Sequence, residues 1–88
     1  MKKYYLFLIT YSFDTNYFSV VCDTKEAAIK MLENTLKKEC SVIENEMEYT
    51  PSIIRHSDTD VTLIYSPIIT ECYMMIDYAD YRIIEIEI

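Results

Sequence analysis

Side chains able to hold a metal, move a proton or act as a nucleophile are few in this chain, and His56, Asp58 and Asp60 are the one place where a histidine and carboxylates crowd together. On a strand, the period of two would put all three on one side, as a divalent cation requires. The same stretch, Ser57-Asp58-Thr59-Asp60, has the polar composition of a hairpin turn, and that is the reading adopted, with no metal assigned. Cys22, Cys40 and Cys72 are odd in number and lack any C-x-x-C pair. Neither a disulfide framework nor a zinc ribbon follows, and the thiols read as small buried hydrophobes. A single histidine leaves no repeated Cys-His or Ser-His context, and pairs among 15 carboxylates carry no signal. Glycine is absent, which excludes the phosphate-cradling loops of nucleotide sites, whose backbone needs positive φ and no Cβ. The expectation is a non-catalytic protein without a cofactor.

Charge is the stronger signal. Residues 1 to 38 hold six basic and four acidic side chains, a balance of +2, whereas residues 39 to 88 hold two basic and eleven acidic, a balance of −9. A field of that sign repels nucleic acid and anionic membrane and attracts basic protein surfaces. Tyrosine, present nine times, offers wide contact area with a polar tip and suits interfaces. Tyr73, Tyr78 and Tyr81 stand beside Glu71, Asp77 and Asp80 and read as interface candidates, while Tyr4, Tyr5 and Tyr11 read as core or sheet-face residues. The candidate partner-binding set is therefore Glu39, Glu44, Glu46, Glu48, Glu71, Tyr73, Asp77, Tyr78 and Asp80.

The elements that must position these residues follow from periodicity. The chain has 88 residues, enough for one domain with one core, and 51% of them are apolar. Lys3 to Phe13 is apolar on both faces, as in a strand near the middle of a sheet, and Asp14-Thr15-Asn16 turns it into a second strand, Tyr17 to Cys22. Ile29, Leu32, Leu36, Cys40, Ile43 and Met47 recur at helical spacing after a cap at Asp23 or Thr24; Asp23 with Glu26 has capping-box spacing. Glu26 to Lys30 and Glu33 to Lys37 are i,i+4 pairs on the outer face. A continuous helix to Glu48 exceeds what so small a domain needs, so a break near Cys40 and Ser41 is expected, with Val42 to Met47 as a second short helix. Pro51 ends helix, Ser52 to His56 and Val61 to Tyr65 form a hairpin, and Ser66-Pro67 interrupts it. Ile68 to Ile76 fits either helix or strand and is read as a strand. Asp77 to Asp80 reads as a turn, and Tyr81 to Ile88 as a closing strand beside the first, with Ile84, Ile86 and Ile88 inward and Glu85 and Glu87 outward. The fold class is α+β, in the order β-β-α-β-β-β-β: an antiparallel sheet of four to six strands with one long helix on one face.

The longest apolar run, Tyr4 to Ile9, is far short of the roughly 20 residues that cross a bilayer. Lys2 and Lys3 imitate a secretory start, but Thr10 interrupts the run, so it reads as the first strand of a cytoplasmic protein. The layout, with its opening aromatic hairpin, a helix begun by Thr24-Lys25-Glu26-Ala27-Ala28 and the alternating strand Tyr81 to Ile88, resembles small proteins of phages and mobile elements. In size and acidity the chain is also similar to phage-encoded inhibitors of bacterial defence systems, the anti-CRISPR proteins in particular. That resemblance spans the chain without a specific motif and implies occupation of a basic groove meant for DNA or RNA. The leading expectation is thus an inhibitor whose carboxylates dock on a nuclease or effector complex inside the host cell, with no direct nucleic-acid or membrane contact. The alternative is an interaction module that forms a homodimer through a sheet edge or a tyrosine-bearing face. A small enzyme would require an ordered metal at His56, Asp58 and Asp60.

Overall fold

The computed structural model describes residues 1–46, 49–67 and 76–88. Five strands, β1 (Lys3–Tyr11), β2 (Tyr17–Cys22), β3 (Tyr49–Ser57), β4 (Asp60–Pro67) and β5 (Asp77–Glu87), form one antiparallel sheet in the order β2-β1-β5-β4-β3. The helix α1 (Lys25–Glu46) joins β2 to β3 and lies across one face. The expected α+β architecture and element order are found, with the closing strand beside the first. Reciprocal backbone bonds between Lys2 and Ile88, both 3.0 Å, extend that β1–β5 pairing. The strand expected over Ile68 to Ile76 lies outside the described residues except for Ile76.

The first hairpin turns where a short polar side chain replaces the missing glycine: the Asn16 N–H donates to Asp14 Oδ1 at 2.9 Å. No residue among those described has positive φ. Thr24 caps α1, its Oγ1 accepting from the Ala27 N–H at 3.1 Å, so Thr24 and not Asp23 satisfies an orphan donor of the first turn. The expected break near Cys40 is not there. The helix runs unbroken for 22 residues, about 33 Å at the usual rise, because Leu32, Leu36 and Ile43 keep one buried face and no proline or glycine interrupts them. The molecule is long enough for it, measuring 52 × 22 × 21 Å.

Burial follows the period of two, but not with the phase expected for the last strand. Phe7, Ile9, Val61, Leu63, Tyr65, Ala79 and Tyr81 point under the helix and meet Leu32, Leu36 and Ile43. In β5 it is therefore the odd residues that face α1. Ile84 and Ile86 share the opposite, open face with their register partners Leu6 and Tyr4, and Ile88 lies exposed past the end of the strand. Glu85 is on the helix side, close to Lys3 and the Tyr5 hydroxyl, where the side chains remain in solvent. Asp77 to Asp80 is strand and not turn, because Ala79 packs into the core against Leu63 in β4. Tyr81, expected at an interface, is buried for the same reason. Ser66 and Pro67 likewise continue β4.

Candidate functional site

One end of the molecule gathers the end of β1, the start of β3, the end of β4, the start of β5 and the C-terminus of α1. Antiparallel register forces this: Tyr11 lies opposite Ala79, Tyr65 opposite Asp77, and Tyr49 opposite Pro67. Aromatic rings line this end, with Tyr11–Phe13 and Phe13–Tyr65 centroids each 5.4 Å apart and Tyr49–Tyr65 6.5 Å apart. Phe13 is 50% exposed, which leaves an apolar ring accessible beside them.

Carboxylates lie at the same end, beside these rings and along the last turns of α1. Glu39 is half-buried and accepts a hydrogen bond from the Tyr65 hydroxyl at 3.1 Å. Burial and the charge of Glu39 push the Tyr65 phenol far above its ordinary value, and Tyr11 is raised by burial, then by Glu39 and Asp14. Burial, then Glu44 and Glu39, also push the Cys40 thiol up, which keeps it protonated and a poor nucleophile. Glu44 and Glu46 are exposed in the last turns of α1, where no basic side chain is present, although the negative end of the helix dipole favours one. Asp77 is half-buried at the start of β5. Among the described residues, Glu39, Glu44, Glu46 and Asp77 form no ion pair.

The other predicted residues are elsewhere or spoken for. Tyr78 and Asp80 lie on the open sheet face, opposite the side of Tyr65 and Glu39. The Tyr78 N–H donates to Ser12 Oγ at 2.8 Å, and the Tyr78 ring is exposed. Asp80 accepts from Thr62 Oγ1 at 2.8 Å and meets Arg82 at 3.7 Å. Glu48, Glu71 and Tyr73 lie outside the described residues. The set thus divides: Glu39, Glu44, Glu46 and Asp77 share one end, while Asp80 belongs to a polar network. In that network the Thr62 proton goes to Asp80, so His56 Nε2–H donates to Thr62 Oγ1 at 3.0 Å, and Asp60 pairs with Arg82 at 3.9 Å. Among the described residues no three His, Cys, Asp or Glu side chains are placed to hold a metal ion.

A groove of about 550 Å³ separates α1 from β3, floored by Leu36, Cys40 and Ile53. Across it Arg55 grips Glu33 through two hydrogen bonds, 2.6 and 2.9 Å. Glu33 therefore spans to the sheet, away from the expected partner Lys37, and Arg55 holds its carboxyl below the usual range. Sequence reasoning missed Phe13, which was assigned to a strand, and the exposed apolar edge Tyr17, Phe18 and Val21. Their aromatic and β-branched types signal a strand but do not say which strand ends the sheet. No helix among the described residues is long and apolar enough to cross a membrane. No protein-family model, curated protein or solved structure matches the chain.

Proposed function

We propose that this is a non-catalytic binding protein that docks the acidic, aromatic end of the molecule against a basic surface, and that its partner is a nucleic-acid-binding protein whose groove it blocks. One observation carries this reading: Glu39, Glu44, Glu46 and Asp77, at the end of the molecule that holds the exposed Phe13, take part in none of the four described ion pairs, and the last turn of α1 has no basic side chain. Unpaired carboxylates at the C-terminus of a helix oppose its dipole, a local cost that an electrostatic docking surface explains. Long-range attraction would speed encounter, and Phe13 would supply an apolar anchor that desolvates on contact. The resemblance to phage-encoded inhibitors of bacterial defence adds an expected class of partner, a CRISPR-type nuclease or effector complex.

Capture from bacterial lysate on the immobilised protein tests this, followed by a nucleic-acid binding assay on the recovered partner. The expected outcome is a partner that loses its DNA or RNA when the protein is added, and whose recovery falls with rising salt and with the triple change E44Q/E46Q/D77N. A partner recovered equally by the triple variant, or one that keeps its nucleic acid, contradicts the proposal.

A further inference from the structure

The two edges of the sheet are not alike. Along β3, Pro51 removes a backbone donor, Arg55 carries charge, and the register with β4 shifts between Arg55 and Ser57; these are the devices that keep an edge from pairing. β2 has none of them. Tyr-Phe-Ser-Val-Val-Cys contains no charge and no proline and pairs with β1 in six unbroken steps, leaving its outer side without a strand among the described residues. Its apolar side chains reach solvent on both faces, Tyr17 at 68% and Val21 at 59% on the open face and Phe18 at 44% on the helix face.

We infer that β2 is a dimerisation edge, and that its occupant is β2 of a second copy of this chain, giving a continuous ten-stranded sheet with both helices on one side. A two-fold axis normal to the sheet makes such pairing antiparallel and self-complementary. With the axis at Ser19, Tyr17 lies opposite the partner's Val21 and Phe18 opposite the partner's Val20, so the most exposed apolar side chains of the strand cover one another while the small serine sits at the centre. A copy can occupy this edge without like charges meeting: each chain carries −7 in all, but β2 carries no charged residue. A basic foreign partner would find no complementary charge on this strand.

Sedimentation across a concentration series, with backbone amide exchange of the unmodified protein, tests the inference. The native chain is expected to reach twice its mass of 10.5 kDa and to show amides in Tyr17–Cys22 that exchange more slowly as concentration rises, while those of β3 do not change. Y17K/V21K, which sets lysine against lysine, should weaken the dimer about tenfold or more, and Y17K/V21E, which sets lysine against glutamate, should restore it. Circular dichroism of each variant confirms that it is folded. A native chain that remains a monomer with concentration-independent exchange, or two folded double variants that dimerise equally, overturns the inference.

Discussion

Tyr65 and Glu39 show how a single contact ties the core to the acidic end. The phenol sits under the helix and donates to a half-buried carboxylate, so its ionisation would put two negative charges together in a poorly solvated place. Tyr81 is raised in the same direction, by burial first and then by Tyr65. Because both folded values lie above the ordinary 10.0, their contribution to stability is complete below that pH and is lost as pH climbs past it. An absorbance titration of phenolate is expected to show Tyr65 and Tyr81 staying un-ionised above pH 10 until the chain unfolds. Titration of all nine tyrosines in one step at the ordinary value would contradict it. At acid pH the Glu33–Arg55 pair behaves oppositely: the lowered Glu33 value stabilises the fold above about 4.5, and that support fades as pH falls further. With both side chains near half exposure, its loss is a minor part of acid unfolding. Residue chemistry was partly legible in the sequence. His56 and Asp60 read as turn residues and stand at the β3–β4 hairpin, but Tyr81 was grouped with Tyr78 and Asp80 although the strand period sends it to the other face.

The helix was legible because its apolar spacing is long and regular, and its length was not because sequence spacing cannot report the length of the sheet it crosses. Ile43 decides between the expected break and the continuous helix, since it is fully buried in the segment assigned to a separate piece. Ile43→Ala is expected to cost about 2–5 kcal/mol in denaturant unfolding, as for other core truncations; a cost below about 1 kcal/mol would mean that this end of α1 is not packed. At the same terminus E44Q/E46Q should raise stability by about 0.5 kcal/mol, because two charges facing the negative end of the dipole are removed. Strand alternation gave the correct sets of residues in β5 with the wrong side assigned to each. Alternation groups Ile84 with Ile86, and only the packing of Ala79 and Tyr81 under α1 fixes which group faces the helix.

At the scale of the whole molecule, the sheet is elongated and its charges are arranged along it. Lys3, Glu85 and the start of α1 lie at one end, and Glu39, Glu44, Glu46, Asp77 and the aromatic rings at the other, since β5 alone spans about 33 Å between Asp77 and Glu87. The acidic character of the second half of the chain was plain in the sequence; that Asp60 and Asp80 are paired on the open face while Glu39, Glu44, Glu46 and Asp77 are not was hidden, because it depends on where Arg82 falls in the register. The edge β2 lies on the flank of this axis, so a dimer built there would leave both acidic ends free to bind. A charge-matched comparison tests the docking account most directly: association rate and salt dependence with the captured partner, measured for E44Q/E46Q and for E85Q/E87Q. Each variant loses two carboxylates, one pair from each end. E44Q/E46Q alone is expected to slow association and flatten the salt dependence, while E85Q/E87Q binds like the native protein. Equal slowing by both variants would assign the effect to net charge and contradict a docking surface at the end of the helix.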